Sequence, residues 1–179
     1  MSKNTHSTAK PNFFGSQTES DLFAKPTDSS PKIKEVRPET AIVYCEGHFG
    51  GIDGKTANGL ARHSEKYKIL SIIDSAKEGQ DAGEVLEGKK SGIPIYRDLG
   101  TALAHAGRAP NHLIFGIAPT SGMLSPAERQ LLLRAIGYGI NIINGLYEFL
   151  NDDPEFKAAC AKSGVIIRDV RKHRAKKDL

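Results

Sequence analysis

The chain has no tryptophan, two cysteines, two methionines and few aromatic residues of any kind. A core without large aromatics must rest on Ile, Leu, Val and Ala. Two cysteines are too few for a disulfide framework, and neither Cys45 nor Cys160 sits in a metal-ligand spacing. No metal site is therefore expected. Cys45 lies in an apolar strand-like run, and Cys160 follows Phe156 and Ala159 on what reads as one helical face. Both are expected as buried thiols of a reducing, cytoplasmic compartment. No apolar run approaches membrane-spanning length, and the N-terminus has no apolar core of signal-peptide type, so no membrane association is expected. Charge of one sign is also scarce. The 25 Lys and Arg exceed the 21 Asp and Glu by a net +4, much of it within Arg168–Lys177. No nucleic-acid-binding module accompanies that stretch, which reads as a solvated basic tail rather than a nucleic-acid patch.

The 179 residues leave room for one domain with a substantial core. Apolar residues at 39% and charged residues at 26% are ordinary for a globular protein. Residues 1–39 are rich in Ser, Thr, Lys and Pro and are expected to be a disordered tail, because they cannot bury enough surface to offset ordering entropy. Two apolar islands, around Phe13 and Phe14 and around Phe23, are either incidental or a short partner-docking motif. Residues 40–172 are expected to fold as one domain, with 173–179 as a basic C-terminal tail.

From Ala41 the pattern changes. Ala41–Glu46 reads as a buried strand, Thr56–His63 as a helix, and Tyr67–Asp74 as a second strand. Asp81–Glu87 follows as a short helix, and Ile93–Tyr96 as a short strand that Pro94 places at an edge. Thr101–Ala106 is a helix that Gly107 can close, and His112–Ala118 a fourth strand. Ser125, Pro126 and Glu128 form a helix start with a capping box and Pro at the first helical position. Ile140–Ile143 is a fifth strand. A helix opened by Asp153 and Pro154 stops at Gly164, and Val165–Ile167 is a sixth strand. Continuous apolar strands alternating with helices predict an α/β fold. The expectation is a doubly wound, mostly parallel six-stranded Rossmann-like sheet with helices on both faces.

Such sheets bind ligands outside the carboxyl ends of their strands, where strand order reverses. In Rossmann order that crevice lies between the loops after the first and fourth strands. The first loop carries Gly47, Gly50 and Gly54, followed by Lys55 and Thr56; the second is Pro119, Thr120, Ser121 and Gly122. Glycines there would let main-chain N–H groups approach a phosphate or carboxylate, or would serve turn geometry alone. The spacing is not G-x-G-x-x-G. Gly50 to Gly54 is also one residue too short for a Walker P-loop, so a Walker-type NTPase assignment is rejected for this loop. Asp74 closes the second strand and is either a ribose acceptor or a cap on the loop Ser75–Gly79. Glu46, His48, Tyr147, Glu148, Asp169 and Arg171 lie at the same edge as substrate-side candidates, whereas His63 and His105 read as helix-surface residues. No catalytic residue can be assigned from spacing. The cofactor is also open, with a nucleotide or CoA-like ligand compatible.

Several segments taken together resemble one family. They are Glu46-Gly47, Gly54–Ala57, Ile73-Asp74, Gly79–Gly83, Ile93–Ile95, Gly116–Pro119 with Gly122, Gly145-Leu146 with Glu148–Leu150, and Asp169–Lys172. In order and spacing they are similar to the N-terminal Rossmann-like domain of the D-glutamate N-acetyltransferase (DgcN-type) family, whose members were often labelled NAD-dependent epimerase/dehydratase. The resemblance covers about residues 41–172. It implies an N-acetyltransferase connection and a second domain with a true P-loop, which these residues do not include. The chain departs from the family pattern at Tyr147, where the resemblance implies His, and at Ser121, where it implies Gly.

Three functions follow as expectations. The first is the binding half of a split enzyme of D-amino-acid metabolism, holding a nucleotide, acyl-CoA or acidic amino acid and working with a separate P-loop subunit. The second is a free-standing regulatory module whose tail docks a partner. The third is an NAD(P)-dependent oxidoreductase or epimerase, which the irregular glycine pattern serves least well. Self-association into a homo-oligomer is expected in addition.

Overall fold

A computed structural model describes residues 38–119 and 121–172. The expectations for the N-terminal tail and for the basic tail beyond Lys172 lie outside those residues. Six strands, β1 (Glu39–Tyr44), β2 (Tyr67–Ile73), β3 (Ile95–Tyr96), β4 (His112–Phe115), β5 (Asn141–Asn144) and β6 (Ile167–Asp169), alternate with five helices. The helices are α1 (Lys55–Arg62), α2 (Ala82–Glu87), α3 (Leu99–His105), α4 (Pro126–Gly137) and α5 (Pro154–Ser163). All strand pairs are parallel, in the order β3-β2-β1-β4-β5-β6. This is the doubly wound Rossmann order, with its reversal between β1 and β4.

The strands read as continuous apolar runs because both sheet faces are covered where they matter most. Ile42, Ile72, Leu113 and Ile142 have no exposed surface. Each fully buried side chain of this size contributes about 1.5–3 kcal/mol of hydrophobic stabilisation. Tyr44, Phe49, Phe115 and Phe156 are the large aromatics of the core among the described residues, and Leu132 and Ile136 bring the apolar side of α4 onto it. Helix starts follow local chemistry. Asp81, Asp98, Ser125 and Asp153 each accept a main-chain N–H at the first turn of α2, α3, α4 and α5. The capping box of Ser125 and Glu128 forms in both directions. Gly164 ends α5 at φ 68°, a left-handed conformation.

Several boundaries differ from the hydropathy pattern for identifiable reasons. α3 begins at Leu99 rather than Thr101, because Asp98 accepts the Thr101 N–H at 2.7 Å and draws the first turn forward. β3 shortens to Ile95 and Tyr96; Pro94, which has no N–H, forms only an isolated antiparallel bridge with Asp81. β3 does lie at the sheet edge. β4 ends at Phe115 rather than Ala118, since the Ala118 N–H turns away to the carbonyl of Asp53 at 3.0 Å. β6 is Ile167–Asp169 rather than Val165–Ile167, so Arg168 belongs to the sheet and not to a tail. Gly116 makes the crossing of α1 over β1 and β4 close: a Cβ there would lie 2.7 Å from Val43 Cγ1 and 2.9 Å from Ala57 Cβ.

Candidate functional site

The carboxyl edge is built from the turn after β1 outward. β1 and β2 pair so that Tyr44 lies beside Ile73, which sets Asp74 against the turn Glu46–Gly54. Asp74 is fully buried, and its carboxylate accepts the N–H groups of Gly47, Phe49 and Ala76, each at 3.1 Å. Lys77 Nζ stands 3.6 Å from its Oδ2. The Gly50 N–H is taken by Asn58 Oδ1 at 2.9 Å, and Asn58 Nδ2 returns a bond to Gly51 O at 2.9 Å. Phe49 plugs the centre of the turn, 1% exposed. Gly54 is buried against His48, whose carbonyl would lie 2.2 Å from any Cβ at that position.

This arrangement engages several of the candidate residues within the protein itself. The amides of Gly47 and Gly50 donate to the protein's own Asp74 and Asn58. Asp74, fully buried, caps the short 3-10 turn Ser75–Lys77, one of the two roles read for it, and anchors the first loop. Glu46 likewise turns to Ser75, accepting its N–H at 2.9 Å and its hydroxyl. Lys55 and Thr56 are exposed at the start of α1, whose cap residue Gly54 offers no side-chain bond. His48 Nδ1 lies 3.7 Å from Asp53 Oδ2, both about half exposed.

The two loops of the predicted crevice do meet, through the Ala118–Asp53 bond. Pro119 O accepts the Gly122 N–H at 2.9 Å, and Ser121 Oγ bonds Met123 on both main-chain sides. Thr120 lies outside the described residues. The next two loops are tied in by acids. Glu148 Oε2 accepts the Leu124 N–H at 2.8 Å, joining the loop after β4 to the loop after β5. Asp169, 9% exposed, accepts from Asn144 Nδ2, Leu150 N–H, Asn151 N–H and Asn151 Nδ2. Glu148 and Asp169 thus tie the rim loops together.

Tyr147 and Arg171 behave differently. Tyr147 is 70% exposed, and the guanidinium carbon of Arg171 stands 4.5 Å from its ring centroid. Gly122, at φ 70°, approaches the same ring. Met123 and Val170 are exposed nearby in sequence to these residues. Residues 24 positions apart thus form a cation-on-aromatic platform at the strand ends. Such a guanidinium can grip a planar anion with two parallel N–H donors.

Sequence reasoning missed Asn58, Asn144 and Asn151, which hold the loops. Asn144 followed by Gly145 is a turn signal that could have been read. Asn58 sits mid-helix and carries no such signal. The Cys45 thiol, fully buried, is pushed up to about 12 by burial and then by the Asp74 carboxylate. Among the described residues no cluster of His, Cys, Asp or Glu is placed to hold a metal ion, and no helix is long and apolar enough to cross a membrane.

Fold and strand-end loops together define an α/β domain of Rossmann type. Residues 75–173, more than half of the chain, match the family described as a domain of unknown function (DUF1611_N), Rossmann-like domain, and the chain belongs to that family. The crystal structure of a DUF1611 family protein from Anabaena variabilis is similar at 30% identity and a TM-score of 0.68, over 78% of this chain and 38% of that one. A D-glutamate N-acetyltransferase from Tritonibacter scottomollicae is 30% identical over 59 residues, 33% of this chain and 18% of that protein. This chain thus spans well under half the length of either relative. A dehydrogenase from Chromobacterium violaceum shares the fold, with 14% identity, a TM-score of 0.51 and coverage of 74% and 36%.

Proposed function

We propose that this chain is the small-molecule-binding, Rossmann-like part of a two-part N-acetyltransferase-like enzyme, and that it holds an acidic amino acid by a carboxylate at the carboxyl edge of its sheet. The observation that carries this reading is the Arg171 guanidinium lying over exposed Tyr147 beside Gly122. A guanidinium matches a carboxylate geometrically, and the aromatic face below it restricts its rotamers before the ligand arrives. Asp74, Glu148 and Asp169 are occupied by loop donors, which limits the repulsion a carboxylate ligand would meet. Similarity to a D-glutamate N-acetyltransferase supports the choice of an acidic amino acid.

The resemblance to the D-glutamate N-acetyltransferase family supports a second component. We assign to it the phosphate- or CoA-binding task, on a P-loop, because the glycine turn here accommodates its own Asp74 where a dinucleotide phosphate would need free amides. The same feature weighs against an NAD(P)-dependent oxidoreductase. The test is reconstitution. The full chain is used to capture a P-loop-bearing protein, and the purified pair is assayed for acetyl transfer from acetyl-CoA to D-glutamate. Transfer by the pair and by neither component alone is expected. A stable pair that binds no acidic amino acid and transfers no acetyl group would overturn the reading.

A further inference from the structure

Burial alternates along β6 and the residues flanking it. Val165, Ile167 and Asp169 are buried, whereas Ile166 at 66%, Arg168, and Val170 at 54% are exposed. The register extends that outward face across the sheet: Arg168 lies beside Ile143, Ile143 beside Ile114, and Asn141 beside His112. Further along the same face α1 provides cover, where Ala57 and Val43 crowd Gly116. Across the starts of β1, β2, β4, β5 and β6 lies a groove of about 290 Å³. That is near the lower end of volumes that hold small ligands, about 300 Å³.

The chemistry of this groove is asymmetric. Ile143 and Ile166 supply its apolar surface. Tyr67 and His112 form a wall, their rings edge-to-face at 5.3 Å. Among the described residues the one acid of the lining, Glu39, is engaged, since its Oε2 lies 3.0 Å from His112 Nε2. Two cations remain: Lys66, with Nζ 5.0 Å from the Tyr67 ring centroid, and Arg168. The other nitrogen of the same imidazole, Nδ1, is buried without a hydrogen-bond partner among the described residues. Buried polar atoms are nearly always paired, so this orphan leaves the wall incomplete by itself.

We propose that this groove is a second ligand site, distinct from the carboxyl edge, that binds a small carboxylate with an aliphatic body. The carboxylate is held by Arg168 and Lys66, and the body lies along Ile143 and Ile166. The cationic surplus disfavours a neutral or positive amphiphile.

The test is an amide NMR titration of the full chain with octanoate, octanol and octylammonium. Octanoate is expected to shift residues 112, 141–143 and 166–168 saturably. Octanol should bind at least tenfold more weakly, and octylammonium should leave these amides in place. Arg168→Glu, an exposed substitution, should weaken octanoate at least tenfold, and Ile166→Asp should do so as well, while Lys90→Gln leaves it unchanged. Equal binding of octanol, unchanged binding by Arg168→Glu, or shifts confined to other residues would overturn the site. So would concentration-dependent dimerisation in sedimentation that Ile166→Asp abolishes, since the face would then belong to a second copy of the chain.

Discussion

The carboxylate of Asp74, at the end of β2, accepts the main-chain N–H of Phe49 in the turn after β1 at 3.1 Å. An acid from one strand thereby fills the nest of amides at the end of its neighbour. The turn is preorganised by the protein itself, while Tyr147 and Arg171 stand exposed at the same edge.

Replacing Asp74 tests that relationship. Asp74→Ala strands the buried Phe49 N–H, worth about 1–3 kcal/mol when left unsatisfied, and releases the part-buried N–H groups of Gly47 and Ala76. We expect a loss of at least about 2 kcal/mol in urea unfolding, with the m-value unchanged. A residue that served only a ligand would leave the midpoint where it is, and that result would remove Asp74 as the anchor of the turn.

Two glycines should respond in opposite directions. A Cβ at Gly83 would lie 2.4 Å from the carbonyl of Lys89 and 2.7 Å from Ser91, on main chain that cannot easily yield. Gly83→Ala should cost about 1–3 kcal/mol through overpacking. Gly59 sits exposed within α1 with nothing within 4 Å, so Gly59→Ala should stabilise by about 0.5–1 kcal/mol through helix propensity. Melting curves of the pair decide this, and equal shifts of one sign would contradict it.

Cys45 should resist alkylation. Its thiol is fully buried and held at about 12 by burial and the Asp74 carboxylate, which leaves little thiolate at neutral pH. Iodoacetamide at pH 8 should leave Cys45 unmodified in the native chain and label it in denaturant, as peptide mass mapping would show. Rapid native labelling would mean that the turn opens readily.

Acid should erode the helix starts. For Asp81, burial raises the carboxyl, but N–H donors from Ser91, Gly83, Glu84 and Gly92 outweigh it and hold it below the ordinary range. Asp98 is held low chiefly by the Thr101 N–H. At Asp153 burial is again outweighed, here by Arg129 and the N–H groups of Phe156 and Glu155. A lowered folded value means that the stabilisation is complete above the unfolded value of about 3.9 and disappears as pH falls through the lower folded values. Asp→Asn at the three caps should therefore cost about 0.3–1 kcal/mol each at pH 7 and flatten the loss of stability below about pH 4. An acid limb identical to that of the parent chain would refute the assignment.

Much of the architecture was legible because local signals agreed with the global pattern. Apolar runs such as Ile42-Val43 and Leu113-Ile114 marked central strands, and Ser125, Pro126 and Glu128 marked a helix start that forms as read. The edge position of β3 followed from Pro94. The site was less legible, since it depends on where side chains turn. Spacing put Asp74 at the right strand end but could not tell that the amides of Gly47 and Phe49 compete successfully for its carboxylate. Nor could it pair Arg171 with Tyr147, whose contact depends on how two loops leave neighbouring strands.

The most direct test of the account is a calorimetric titration of D-glutamate into the full chain and into Arg171→Gln. The account predicts saturable binding to the parent chain and at least a tenfold loss in the variant, about 1.4 kcal/mol, with an unchanged melting temperature. Equal affinities for the two chains, or no binding at millimolar D-glutamate, would contradict it.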